Sequence, residues 1–189
     1  MPTFDAPLNG VAHSEALKEA LTHADTAAVI LTTLELRNPN FRDAAGNPTA
    51  IRVVRDHAAL TATLEADAPM NPGASVTFQP IPFEFTRPSE SDGGAPPEIT
   101  LALDNVSREV MRHVTQTLGT LDTTSVTLRD YLSSDTSAPH TDPPLTLELT
   151  AVTASVERVE AKATLGNLAN SRFPADRYDA ARYPGLSAR

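Results

Sequence analysis

Five histidines are the residues best suited to holding a metal or moving a proton: His13, His23, His57, His113 and His140. No two form an H-x-x-x-H or H-E-x-x-H pair, the spacing that stacks two ligands on one helix face. His13 and His23 are ten residues apart, roughly 280° around a helix, so they do not share a face. All five are expected to face solvent or to sit near helix caps. A nucleophilic serine has no G-x-S-x-G elbow and no S-x-x-K motif here, and nothing in the sequence marks a Ser-His-Asp triad. There is no cysteine, which excludes disulfides, thiolate catalysis and Cys-ligated zinc. Phosphate cradles of the G-x-G-x-x-G or G-x-x-x-x-G-K type are absent, and Gly93-Gly94 lies in an acidic, serine-rich loop that repels phosphate. Paired carboxylates for glycoside hydrolysis could come from the 24 Asp and Glu. With no tryptophan and three tyrosines, however, aromatic sugar platforms are scarce. The expectation is a chain without catalytic, cofactor-binding or metal-binding residues, and not an enzyme.

Two other constellations point to contact rather than chemistry. Around Asp104 a strand runs into Asp-Asn-Val-Ser-Arg-Glu and then a helical pattern. One reading is a capped strand-to-helix turn, in which Asp104 or Asn105 satisfies free helix amides. The other has Asp104, Arg108 and Glu109 presenting charge across a subunit contact. The ending SRFPADRYDAARYPGLSAR, residues 171–189, has no strand or helix period and carries four arginines against two aspartates. The rest of the chain holds eleven Lys and Arg against twenty-two Asp and Glu. A basic, aromatic arm on an acidic body suits docking on a neighbour's acidic body. Phe173, Tyr178 and Tyr183 are the candidate anchors, and Arg172, Arg177 and Arg182 would face the acidic surface.

The elements that must position these residues follow from the hydropathy pattern. A chain of 189 residues can bury one proper core. Its formal charge of −9 argues against the body binding nucleic acid. No stretch approaches the roughly 18 apolar residues of a membrane helix, and MPTFDAPLNG is not a secretory signal. Residues 1–12 read as an arm, 13–170 as one β-rich domain, and 171–189 as a second arm. Within the domain, Ser14 is placed to cap a helix to Ala24 whose stripe is Leu17, Ala20, Leu21 and Ala24. Strands are expected at Ala28–Arg37, ended by Asn38-Pro39-Asn40, and at Ile51–Arg55, Glu98–Leu103 and Ser125–Ser133. Leu60–Ala66 fits a strand or a helix. Ser75–Thr86 alternates twice, with a phase slip between Phe78 and Ile81 that signals a bulge or a corner. A second helix is expected at Val106–Thr117, ended by Gly119. Leu145–Ala151 and Val159–Leu165 alternate as an antiparallel pair. About eight short strands and two helices imply a mainly β, α+β fold, either a β-sandwich or a small barrel.

Four segments carry a resemblance: Val29–Phe41, Ala50–Asp56, Phe78–Val110 and Phe173–Leu186. In order and spacing they resemble a domain-of-unknown-function family of minor tail proteins from siphophages and prophages, over about Leu17 to Leu186. The resemblance implies a structural protein of the virion tail, made in the bacterial cytoplasm, with a fold similar to the tail-tube and distal-tail domains. It implies a ring subunit, commonly six to a ring, joining tail tube to hub or baseplate. Its implied partners are further copies of itself, the tail tube protein, hub or other tail-tip proteins and the tape measure protein. DNA would meet it only in passing through the lumen, and no membrane is implied. An acidic wall would let DNA slide past during ejection. The alternatives are a tail assembly or connector factor and a receptor- or carbohydrate-binding module.

Overall fold

The structure is a computed structural model, and it describes residues 12–22, 28–86, 98–104, 112–113, 117, 122–155 and 158–164. The strand β1 (Ala12–His13) leads into helix α1 (Glu15–Thr22). Then follow β2 (Ile30–Arg42), β3 (Pro48–Val54), β4 (Leu60–Thr63), β5 (Ser75–Pro80), β6 (Phe83–Phe85) and β7 (Glu98–Asp104). The chain continues with β8 (Ser125–Leu132), β9 (Thr141–Asp142), β10 (Leu145–Ala154) and β11 (Arg158–Thr164). Nine strands form one mixed sheet in the order β4-β5-β3-β2-β8-β10-β11-β7-β6, while β1 and β9 pair separately. The fold is mainly β, with eleven strands among the described residues where about eight were expected.

The phase slip at Phe78–Ile81 governs the architecture. β5 lies parallel to β3 at Val53↔Gln79 and Val54↔Pro80, whereas β6 lies antiparallel to β7. Only Ile81 and Pro82 separate them. The Ile81 amide donates to the Val54 carbonyl (3.3 Å), and the Asp104 amide donates to the Pro82 carbonyl (3.1 Å). Two residues therefore bridge β3 to β7, far apart in the sheet order, and a sheet joined in this way must curl on itself. Pro80 and Pro82 are tolerated because ladder pairing gives way at this corner.

Curling creates an inside and an outside. The inner core takes Leu34, Leu36, Val53, Ile81, Phe83, Ile99, Leu101, Leu103, Val126, Leu128, Leu147, Val159 and Ala161 from every strand of the curled part. Each fully buried Leu or Phe contributes roughly 1.5–3 kcal/mol by its removal from water. A second cluster lies outside the curl, where β4 and β5 fold over β2, β3 and β8: Leu31, Val54, Leu60, Ala62, Leu64, Ala68, Phe78 and Tyr131. Phe78 thus serves the outer cluster and Phe83 the inner one, which is what the slip accomplishes. In the strand expected at Glu98–Leu103, Ile99, Leu101 and Leu103 point inward, and β10 pairs with β11, as expected, through a turn closed by Ser155 and Arg158.

Three expectations are corrected. β2 does not stop at Asn38-Pro39-Asn40 but continues to Arg42, with its register against β3 broken between Arg37 and Arg42. Asn38 is buried and donates from Nδ2 to the Asp122 carbonyl (3.2 Å) and Thr124 Oγ1 (2.9 Å), so side-chain bonds replace the lost ladder. Leu21 is 61% exposed; Leu17 alone on α1 is buried. His113 is 3% exposed, its ring packed at a tilt against Phe41 with centroids 5.1 Å apart, so the phenyl ring shields the imidazole from water. Leu60–Thr63 is a strand rather than a helix. Of the second helix, Arg112, His113 and Thr117 are helical, and its other positions lie outside the described residues.

Candidate functional site

The most concentrated chemistry is a charge network on the outer face of β2, β3 and β8. Alternation puts Leu34 and Leu36 inward, so Thr33, Glu35 and Arg37 must face outward. Register then sets Arg52 opposite Glu35 from one side and Thr127 from the other, with Arg129 opposite Thr33. The Glu35 side chain is 0% exposed. Its carboxylate lies 3.0 Å from Arg37 Nε, 2.9 Å from Arg52 Nε and 3.7 Å from Arg129 Nη1. The Arg52 contact is a true hydrogen bond. The Arg37 and Arg129 contacts are charge contacts without hydrogen-bond alignment. Arg129, itself 0% exposed, binds Glu65 through two parallel bonds, Nε to Oε2 (2.7 Å) and Nη2 to Oε1 (2.6 Å). This fork geometry is the strongest ion-pair arrangement available to arginine.

Glu65 belongs to the turn between β4 and β5, which is built to hold it. Its carbonyl accepts from the amides of Ala68 (3.2 Å) and Gly73 (2.9 Å). Asn71 and Gly73 adopt left-handed φ of 57° and 63°, the conformation that Asn and Gly tolerate best. Asn71 Oδ1 accepts from Arg52 Nη2 (2.9 Å), so one turn docks on two arginines. Burial pushes the Glu65 carboxyl up, but hydrogen bonds and charge from Arg129, with Arg37 behind, hold it below the usual value. Burial likewise works against the Arg129 cation, and Glu65 and Glu35 more than offset it. Tyr131, beside the network, donates from its hydroxyl to the Thr63 carbonyl (3.0 Å), and burial pushes its phenol up. The network carries three cations against two anions. At its rim the Arg37 and Arg52 side chains keep 15% and 14% exposure.

A cluster of opposite sign occupies the outer face of β6, β7 and β11. Arg158 lies 2.8 Å from Glu84 and 3.5 Å from Glu160. Asp104 sits directly opposite Arg158 in register and is exposed.

One further arrangement has the order of a hydrolytic triad. Ser14 Oγ lies 2.9 Å from His140 Nδ1, and His140 Nε2 lies 3.8 Å from Asp135 Oδ2. Its groups are committed elsewhere. Ser14 Oγ accepts from the Leu17 amide (3.1 Å), the cap expected from sequence, and Asp135 Oδ1 accepts from the Ser137 amide and hydroxyl. The Ser137 bonds hold the Asp135 carboxyl below its usual value. With the Ser14 amide donating to the His140 carbonyl (2.9 Å), this is a lock between the start of α1 and the loop before β9.

Of the expected contact residues, the structure places Asp104 at the exposed end of β7. Arg108, Glu109, Arg172, Phe173, Arg177, Tyr178, Arg182 and Tyr183 lie outside the described residues. Sequence reasoning placed a strand at Ala28–Arg37, which holds Glu35 and Arg37, but singled out none of Arg52, Glu65 and Arg129. The available signal was a charge on the alternate face of three apolar strands, which becomes a network only once register is known.

A family model described as "Domain of unknown function (DUF1833)" matches residues 16–178. No curated protein matches the chain.

Proposed function

We propose, from the premise that this chain belongs to the DUF1833 family, that it is a structural subunit of a phage tail tip, a ring component similar to distal tail proteins. The observation that carries this reading is the distribution of the tail-protein resemblance. Three of its four segments fall on β2, on β3 and along β5-β6-β7, strands that together bridge and curl the sheet, and the fourth lies outside the described residues. The resemblance therefore covers the framework of the fold and not an isolated motif. The mainly β architecture and the −9 charge are compatible with a ring whose wall DNA passes without sticking. In this reading the neighbours are other copies, six to a ring, the tail tube protein and hub proteins. The basic arm, residues 171–189, straps each copy to the next. Negative-stain images of the purified protein test the reading: closed rings are expected, and fewer or no rings after deletion of 171–189. A monomer that forms no ring alone or with its tail neighbours overturns it.

A further inference from the structure

The two charge clusters on the outer face are complementary in pattern. In the first, Arg37 and Arg52 flank Glu35, with Arg129 behind. In the second, Glu84 and Glu160 flank Arg158, with Asp104 opposite it in register. One is a cationic rim around a carboxylate, the other a carboxylate rim around a cation. They belong to separate groups of strands, β2-β3-β8 and β6-β7-β11.

The rims differ in what they leave unspent. Arg37 places Nη2 on Thr127 Oγ1 (3.3 Å) and Nε beside Glu35; Arg52 places Nε on Glu35 and Nη2 on Asn71. The remaining Nη1 group of each has no hydrogen bond to the described residues. Guanidinium groups held by several contacts lose little further entropy on meeting a carboxylate. On the other side, Glu84 and Glu160 are 77% and 62% exposed and share a single arginine, while Lys162 stands further along β11 opposite Thr100.

We propose that Arg37 and Arg52 of one copy bind the carboxylates of Glu84, Glu160 and Asp104 of a second copy. This rests on the self-assembling reading above and names the surface it uses. Because the two patches are different parts of the chain, the contact is head-to-tail, the kind that closes a ring or extends a filament. Charge pairs of this sort set register and partner more than affinity. Asp104 was singled out from sequence as a contact residue and falls within the acidic patch.

Sedimentation velocity of the full chain at low salt tests the contact. Wild type is expected to associate with rising concentration and to dissociate as salt screens the charges. The variant Glu84→Lys/Glu160→Lys changes exposed side chains only, so its fold persists, and its self-association should weaken about tenfold. Arg37→Gln should weaken it similarly. Glu19→Lys/Asp56→Lys, an equal charge change at exposed positions away from both patches, should leave it within about twofold. Association that survives Glu84→Lys/Glu160→Lys unchanged overturns this contact and leaves ring assembly standing. Equal weakening by the control pair overturns it too, since net charge alone would then be responsible. A wild-type chain that is monomeric throughout overturns the contact, and the ring images above then decide the fate of the broader reading.

Discussion

Replacing Glu65 with Leu should destabilise the fold by about 3–5 kcal/mol, the usual consequence of breaking a buried ion pair from one side. It strands Arg129, whose side chain is 0% exposed, with Glu35 at 3.7 Å as its remaining anion. Arg129→Met should be milder, about 2–3 kcal/mol. The carboxylate it leaves behind is 15% exposed and can gain water, and Glu35 keeps Arg37 and Arg52. The double variant Glu65→Leu/Arg129→Met removes one charge of each sign and extends the apolar cluster of Leu64, Ala68 and Tyr131. It should lie within about 1 kcal/mol of wild type. Urea melts at neutral pH measure all three through their midpoints, with the slope m unchanged if the denatured state is the same. The expected signature is a coupling energy of several kcal/mol between the two sites. A double variant whose cost equals the sum of the singles would refute the reasoning, as would a Glu65→Leu cost under about 1 kcal/mol.

The same pair predicts a pH response. The Glu65 carboxyl is held below its ordinary value of 4.5 in the folded chain. The unfolded state therefore binds this proton first, and the stabilisation is complete above that value and lost as pH falls through the folded one. The stability gap between wild type and Glu65→Leu should be constant near neutrality and narrow only in acid, which urea midpoints across pH would show. Ser14→Ala removes the cap of α1 and the hydroxyl tie to His140, leaving the backbone bond between the two residues. It should cost about 1 kcal/mol and speed hydrogen exchange in α1 while leaving the β2–β8 ladder protected. Tyr131→Phe leaves the Thr63 carbonyl without its hydroxyl donor and should cost about 1–2 kcal/mol. In wild type, absorbance at high pH should show one of the three tyrosines still protonated after free phenols have ionised.

What the sequence disclosed depended on how local its cause was. The Ser14 cap is a three-residue relation, and it forms as expected. Inward Ile99, Leu101 and Leu103 follow from a period of two, which every strand obeys on its own. The slip at Phe78–Ile81 announced a corner, but the consequence of that corner, a sheet curled with clusters on both sides, depends on bonds from Ile81 to β3 and from β7 to Pro82. β2 fails the local rule at Asn38-Pro39-Asn40 for the same reason. The dipeptides say turn, and bonds from Asn38 to residues 122 and 124, more than eighty positions away, carry the strand on.

The charge network is the extreme of this dependence. Glu35 alternates with leucines, so its pattern is that of a strand with one wet face, and it is nevertheless completely buried. Two-sided burial here requires the β4–β5 hairpin to fold over the outer face, and that hairpin is held by the very charges it covers, through Glu65 and Asn71. A purely apolar interface would hold the hairpin at least as firmly, since buried ion pairs add little net stability. The charges contribute direction instead: a fork on Arg129 and an amide on Arg52 admit one placement of the turn. That placement holds Arg37 and Arg52 at the edge of the network, 15% and 14% exposed. A cationic rim of set geometry is the feature that a carboxylate-bearing neighbour would recognise.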